Sequence, residues 1–217
     1  MLRPPVDDEE RPARFLERDG AERLLEAARE DRHPLARPFV DLALATGARR
    51  GELLGIPWGP EGLDLDRGVA RITVSFELRT RTLGPTKSGK VREIPLGRNV
   101  AARTRELRMA QGRPADGERV FPFDPRPPFD RARAAAGLAE PLPTIHSLRH
   151  TAASWWLVAG MTSHEVAELL GHADARLVER LYGHALPSRL STAGDDLERF
   201  RESGARIASA GGGAADI

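Results

Sequence analysis

His146-Ser147-Leu148-Arg149-His150-Thr151-Ala152-Ala153-Ser154 opens an apolar stretch, and Leu169-Leu170-Gly171-His172 follows further along the chain. Apolar residues recur at helical spacing behind a polar start, which predicts a helix over His146 to Ala159. His146 and Arg149 stand three apart, so the helix puts an imidazole and a guanidinium on one face near its positive N-terminal end. That pairing suits an anion. His146 and His150 are four apart, the spacing of a zinc pair. Ser147, however, stands where a His-Glu-x-x-His metalloprotease has glutamate, and no third ligand is evident. The reading is therefore of a site without metal or cofactor.

Three other islands flank this one. Thr46-Gly47-Ala48-Arg49-Arg50-Gly51-Glu52-Leu53-Leu54 places Arg49 just after a helix-ending glycine, at the mouth of a new helix. A guanidinium fork and exposed backbone N–H groups can face one anion there. In isolation the segment reads as an ordinary surface arginine pair. Thr86-Lys87-Ser88-Gly89-Lys90 holds the only two lysines of the chain, both in one predicted hairpin turn. Amid so much arginine, lysine supplies a group that can give up a proton, which guanidinium does not readily do. The last island is Arg180-Leu181-Tyr182-Gly183-His184, with the chain's only tyrosine ten residues past His172. A lone helical tyrosine is more often a half-buried core residue than a nucleophile. Its spacing to His172 and the islands before it shift that balance.

Working outward, residues 1–18 read as a loose lead-in with Pro4, Pro5 and an acidic cluster from Asp7 to Glu10. Asp19 is the expected N-cap of a first helix carrying Leu24, Leu25 and Ala28. Helices are expected over Leu35 to Ala45, stopping at Gly47, and over Arg50 to Gly55, ended by Pro57. From Val69 to Phe76 the period changes to two, a strand signature, and Val91 to Leu96 forms a second strand after the lysine turn. Helices resume over Val100 to Ala110. A proline-rich linker (Pro122, Pro125, Pro127, Pro128) precedes one at Phe129 to Ala136, and Ser163 to Leu170 and Arg176 to His184 follow. The fold class is mainly α with a small antiparallel β-sheet (α+β), inserted after the third helix. Residues 19–186 form the main domain, 187–209 a tail helix and 210–217 a disordered end.

Composition narrows the functional classes. Cysteine is absent, which excludes disulfides and thiolate zinc sites. No apolar run is long enough to cross a bilayer, and no leader pattern opens the chain, so a soluble cytoplasmic protein is expected. Net charge is only +1, but residues 67–113 carry 12 basic side chains against Glu77, Glu93 and Glu106. A basic stripe of this kind suits a phosphate-tracking surface, and equally a solvated helix face.

Taken in order, the islands Thr-Gly-x-Arg-x-x-Glu-Leu, a lysine turn, His-x-Leu-Arg-His-Thr, Leu-Gly-His and Tyr resemble the motif series of tyrosine recombinases, similar to Xer recombinases and phage integrases. The likeness runs from about residue 19 to 186. It implies the tyrosine recombinase catalytic-domain fold and site-specific cleavage and rejoining of double-stranded DNA through a 3′-phosphotyrosyl intermediate. By that resemblance Arg49 and Arg149 hold the non-bridging oxygens of the scissile phosphate, and Tyr182 is the nucleophile. Lys87 protonates the leaving 5′-oxygen. His146 and His172 complete the phosphate cradle and assist proton transfer, with Glu52 and His150 in support. Arg50, Lys90 and Arg92 are expected to touch DNA. The residue types fit this chemistry, because a phenol with a pKa of about 10 needs a strongly positive surrounding to attack at neutral pH. Arginines take the place that metal ions hold in many phosphoryl-transfer sites. The resemblance implies as partners DNA and further copies of the chain, in a tetrameric synaptic complex joined through the tail.

Two departures stand out. The resembling family carries an N-terminal core-binding domain, for which the lead-in is too short. This suggests an excised catalytic fragment or a minimal member relying on another clamp. Asp174 also sets a carboxylate beside the His172 island, where an uncharged residue is commoner. Two competing readings share the fold or the chemistry. A DNA-binding accessory protein without turnover leaves the constellation unexplained, and a type IB topoisomerase-like enzyme would relax DNA without swapping strands.

Overall fold

The structure, a computed structural model, describes residues 15–172 and 174–182. They fall in one compact unit, Met1–Leu186; the predicted tail from Pro187 onward lies outside the described residues, as does most of the lead-in.

Helix α1 (Arg18–Arg29) buries Gly20, Ala21, Leu24 and Ala28, a stripe at helical spacing. Its N-cap is Glu17 rather than Asp19, which sits in the first turn, where its charge still complements the helix dipole. The end of the lead-in is not loose: Leu16 is buried and its N–H donates to Thr151 Oγ1 at 2.8 Å. Helix α2 (Ala36–Thr46) ends at Gly47, whose φ of 57° is left-handed and so suited to glycine. A β-carbon at Gly47 would also lie 3.0 Å from Leu170 and 3.2 Å from Trp156. Helix α3 (Arg50–Gly55) follows after Gly47, Ala48 and an extended Arg49.

The single strand expected from Val69 to Phe76 is two strands in two sheets. β1 (Leu63–Asp64), β2 (Val69–Ile72) and β5 (Arg92–Pro95) form an antiparallel sheet in the order β1-β2-β5, with Ala70 opposite Ile94 and Ile72 opposite Arg92. β3 (Val74–Glu77) instead pairs with β4 (Thr82–Pro85). The divergence has a steric cause on α3. Gly51 and Gly55 are one turn apart, and a β-carbon on Gly55 would come within 3.1 Å of the Phe76 backbone nitrogen. Helix α3 thus lets β3 lie directly against it, drawing the chain off the first sheet. The lysine segment is consequently not a hairpin turn but the crossing between β4 and β5, tightened by a Gly89 N–H to Thr86 carbonyl bond of 2.9 Å.

Helix α4 (Arg98–Ala110) begins slightly before the expected start. Helix α5 (Arg126–Ala135) begins inside the expected proline-rich linker, because prolines in a first turn forfeit no intrahelical bond. Helix α6 (Ile145–Val158) opens with a reciprocal cap: Ser147 N–H donates to Thr144 Oγ1 at 3.2 Å, and Thr144 N–H to Ser147 Oγ at 3.0 Å. Thr162 and Glu165 cap α7 (Ser163–Leu170) in the same way, and α8 (Ala175–Tyr182) ends the described residues.

Two apolar clusters result. The larger joins α1–α5 and the first sheet around Leu24, Phe39, Leu54, Trp58, Ile72 and Phe121. The smaller joins the second half of α6 to α7 and α8 through Leu157, Val166, Leu170 and Val178. Helix α6 serves both, with Leu148 in the first cluster and Ala153 in the second. Arg149 lies between them.

Candidate active site

Arg149 is 2% exposed, a cation at the seam of two apolar clusters, and its environment is built from helix ends. Its Nη1 donates to the Gly47 carbonyl at the C-terminus of α2, and its Nη2 to the Leu170 carbonyl at the C-terminus of α7, both at 2.8 Å. Carbonyls at helix C-termini have no intrahelical partner and carry the negative end of the dipole, so they are natural acceptors for a buried guanidinium. Burial and the nearby charge of Arg49 still push the Arg149 pKa down to about 9, which leaves it protonated at neutral pH.

The same Nη2 lies 2.8 Å from Nε2 of His172. A guanidinium only donates, so this ring nitrogen accepts and the His172 proton resides on Nδ1. Burial, then the charges of Arg149, Arg49 and Arg92, lower the His172 pKa to about 3, so the ring is neutral. Its Nδ1–H is buried and has no hydrogen-bond partner among the described residues. Gly171 places the ring: its φ of 69° ends α7, and a β-carbon there would sit 3.2 Å from Arg92.

Arg49 occupies the N-cap of α3, and Glu52 reaches back from the third helical position to accept its backbone N–H at 2.8 Å. Glu52 is buried and also accepts from Arg49 Nη1 at 3.3 Å. Its main partner is Arg92, whose Nη2 donates at 2.6 Å and Nη1 at 3.2 Å, while Arg92 Nε donates to the Leu169 carbonyl at 2.7 Å. Burial alone would raise the Glu52 pKa. The bonds and charge of Arg92 and the Arg49 N–H outweigh it and hold the carboxylate below its usual range. Arg92 is therefore corrected from the expected DNA surface to the interior, since its guanidinium is consumed by Glu52 and the end of α7.

On the other side of Arg149, the Tyr182 hydroxyl is 2.5 Å from Nδ1 of His150. Tyr182 is 1% exposed and packs in the smaller cluster, deeper than the half-buried place expected of a lone helical tyrosine. His150 meets the half-buried ring of His146 edge-on, with centroids 4.6 Å apart. Burial, then the charges of His146 and Arg149, lower the His150 pKa to about 3.

The remaining expected residues are peripheral. Lys87 and Lys90 are exposed on the β4–β5 crossing, and Lys90 lines a cleft of about 770 Å³ together with Arg92, Met161, His164 and His172. Arg50 and His146 line a second cleft of about 550 Å³ with Arg126, Phe129, Arg133 and Thr144. Asp174, the carboxylate beside the His172 island, accepts the Arg176 N–H at 2.9 Å and so caps the start of α8. Sequence reasoning missed the carbonyls of Gly47, Leu169 and Leu170 as the holders of the arginines. Only the two glycines ending those helices signalled them.

The profile described as the phage integrase family matches residues 14–189. The chain belongs to the phage integrase family. Among relatives of this integrase-family domain, tyrosine recombinase XerC of Azotobacter vinelandii (strain DJ / ATCC BAA-1303) is 32% identical over 192 residues, covering 83% of this chain and 58% of that protein. The integrase of Salmonella phage P22 is 27% identical over 184 residues, covering 82% and 45%. The domain thus spans about half the length of the curated relatives it matches. In structure it is similar to the catalytic domain of bacteriophage HP1 integrase, with a TM-score of 0.61 and 25% identity over 84% of this chain and 94% of that one. It also shares the fold of XerH site-specific recombinase bound to difH substrate, with a TM-score of 0.63 and 20% identity over 85% of this chain and 55% of that one. The integrase-family domain has the tyrosine recombinase catalytic-domain fold.

Proposed function

We propose that this chain is the catalytic domain of a site-specific DNA recombinase that cleaves and rejoins double-stranded DNA through a 3′-phosphotyrosyl intermediate. The observation that carries the reading is the convergence of Arg49, Arg149, His172 and Tyr182, from four separate elements, at one seam between the two cores. No single fold requirement calls for a buried arginine, a neutral histidine whose Nδ1–H is unpaired among the described residues, and a tyrosine in one place. A phosphodiester uses all three.

Tyr182 attacks the phosphorus, and the bond to the 5′-oxygen breaks. Arg49, Arg149 and the His172 Nδ1–H stabilise the charge on the non-bridging oxygens, as preorganised donors in a dry site do. Lys87, on its exposed loop, protonates the leaving 5′-oxygen, and His146 assists by taking up the proton that the Tyr182 hydroxyl loses. The phosphotyrosyl bond keeps the energy of the phosphodiester, so rejoining needs no nucleotide cofactor. Arg50 and Lys90 sit on the two clefts beside the site and contact the DNA backbone. On DNA, copies of the chain assemble into a tetrameric synaptic complex, and the protein acts in the cytoplasm of a bacterium or phage host.

The test is a covalent trap. Duplexes selected by the protein from a random-sequence pool are nicked near the selected site, so that the cleaved end is lost. The wild-type chain then accumulates a covalent protein–DNA band. Tyr182→Phe forms none and binds the same duplex within about twofold. A covalent band in the Phe variant rejects Tyr182, since the chain holds no other phenol.

A further inference from the structure

The nucleophile's hydroxyl has a neighbour that the phosphate-binding scheme does not use. We infer that His150 is a positioning residue for Tyr182, its Nδ1 accepting the phenolic hydrogen and thereby fixing where the attacking oxygen points. The inference rests on the proposed function, because it assigns a task within that site.

The geometry is specific. Tyr182 Oη and His150 Nδ1 are 2.5 Å apart, the two residues are 1% and 7% exposed, and they come from helices α8 and α6. Both helices also pack through the smaller apolar cluster, which holds Tyr182 beside Leu157, Val166 and Val178. Packing constrains the ring of a tyrosine but leaves its C–O–H torsion open; a hydrogen bond closes it. A phenol that donates its only hydrogen to His150 turns both oxygen lone pairs away from that ring, towards an incoming phosphorus.

Charge leaves His150 able to accept this bond. His150 is surrounded by positive or potentially positive groups: His146 one turn before it on α6, Arg149 adjacent in the chain, and His172 beyond Arg149. Such surroundings, with burial, keep the ring neutral, and a neutral imidazole offers one nitrogen as an acceptor. The same surroundings argue against His150 as the final holder of the proton. A ring that protonates only near pH 3 does not retain the proton of a phenol. Its part is orientation rather than base catalysis.

Asparagine and alanine at position 150 separate these roles, because Asn Oδ1 can replace Nδ1 as acceptor but is hardly basic. The assay is single-turnover cleavage of the selected nicked duplex. His150→Ala should slow cleavage by about a hundredfold, the scale of a misplacement near 1 Å, with DNA affinity unchanged. His150→Asn should recover most of that loss. A second readout is independent of turnover: with one tyrosine in the chain, ultraviolet resonance Raman reports the hydrogen-bond state of this hydroxyl alone. The phenol should be a strong donor in the wild type and in His150→Asn, and should lose that state in His150→Ala.

Wild-type or faster cleavage by His150→Ala overturns the inference, the faster result marking the bond as a restraint on the nucleophile. Cleavage by His150→Asn as slow as by Ala also overturns it, in favour of a base. A Raman spectrum showing a phenol that accepts rather than donates does the same even if the Ala variant fails to fold. If the wild type itself forms no adduct, the recombinase reading fails, and the Raman result still decides the bond.

Discussion

The buried arginine seam and the exposed lysine crossing, which the proposed function assigns to one site, are held in opposite ways. Arg149, Arg92 and Glu52 are interior groups whose donors and acceptors are matched to one another and to the ends of α2 and α7. Lys87 and Lys90 sit exposed on a connection between strands of two different sheets. In the proposed function the first half is set before DNA arrives, and charge stabilisation gains from donors that need not reorganise. The second half holds the proposed general acid on an exposed connection. A general acid must approach one particular oxygen and withdraw, which suits a loop. Stability should therefore depend strongly on the seam and hardly at all on the crossing.

The largest expected effect tests the seam. Arg92→Met leaves Glu52 buried without its main partner, which should cost on the order of 3 kcal/mol, the low end for a broken buried pair because Arg49 still bonds Glu52. Urea denaturation of the DNA-free chain measures it. Adding Glu52→Gln should return part of the loss, since no bare carboxylate then remains. A midpoint unchanged in Arg92→Met would mean that the pair contributes nothing to holding the two clusters together.

An intermediate effect comes from pH. An unfolded histidine titrates near about 6.5, whereas His150 and His172 in the fold titrate near about 3. Between these values the unfolded chain binds more protons, so their contribution is complete above pH 6.5 and is lost as pH falls towards 3. Each ring steepens the loss by up to about 1.4 kcal/mol per pH unit. The depressed Glu52 carboxyl acts in the same direction below its own unfolded range. Melting temperatures should drop steadily from pH 6.5 downward, and His172→Gln should flatten the slope by one proton's worth. A flat profile would show these rings to be solvated.

The smallest effect on folding belongs to the crossing. Lys87→Ala should change stability by less than about 0.5 kcal/mol, as substitutions at exposed sites usually do. Its effect on chemistry should be large, with cleavage slowed by about 10²- to 10⁴-fold, the usual yield of a general acid. A 5′-phosphorothiolate duplex, whose sulfur leaves without a proton, should restore the rate for Lys87→Ala. Lys90→Ala should lower affinity instead, and rescue of that variant by sulfur would exchange the two roles.

Much of this molecule was legible in the chain. Helices α3 and α7 match the expected bounds, and the period change at Val69 marked the sheet, because burial of one face imposes its repeat on the sequence. The motif series also set the order of the candidate site residues along the chain. Three matters were decided only by tertiary structure. Whether residues 69–77 form one strand or two depended on how closely α3 lets a backbone approach, which a period of two does not encode. Whether Arg92 faces solvent or Glu52 was likewise open, since arginine has the same donors on a surface as in a buried pair. The helix-end carbonyls that hold Arg149 carry no sequence signature at all beyond Gly47 and Gly171, because every residue has a carbonyl and only the fold decides which are left unpaired. Local pattern reports what a segment buries. Which partner it is buried against is settled when distant segments meet.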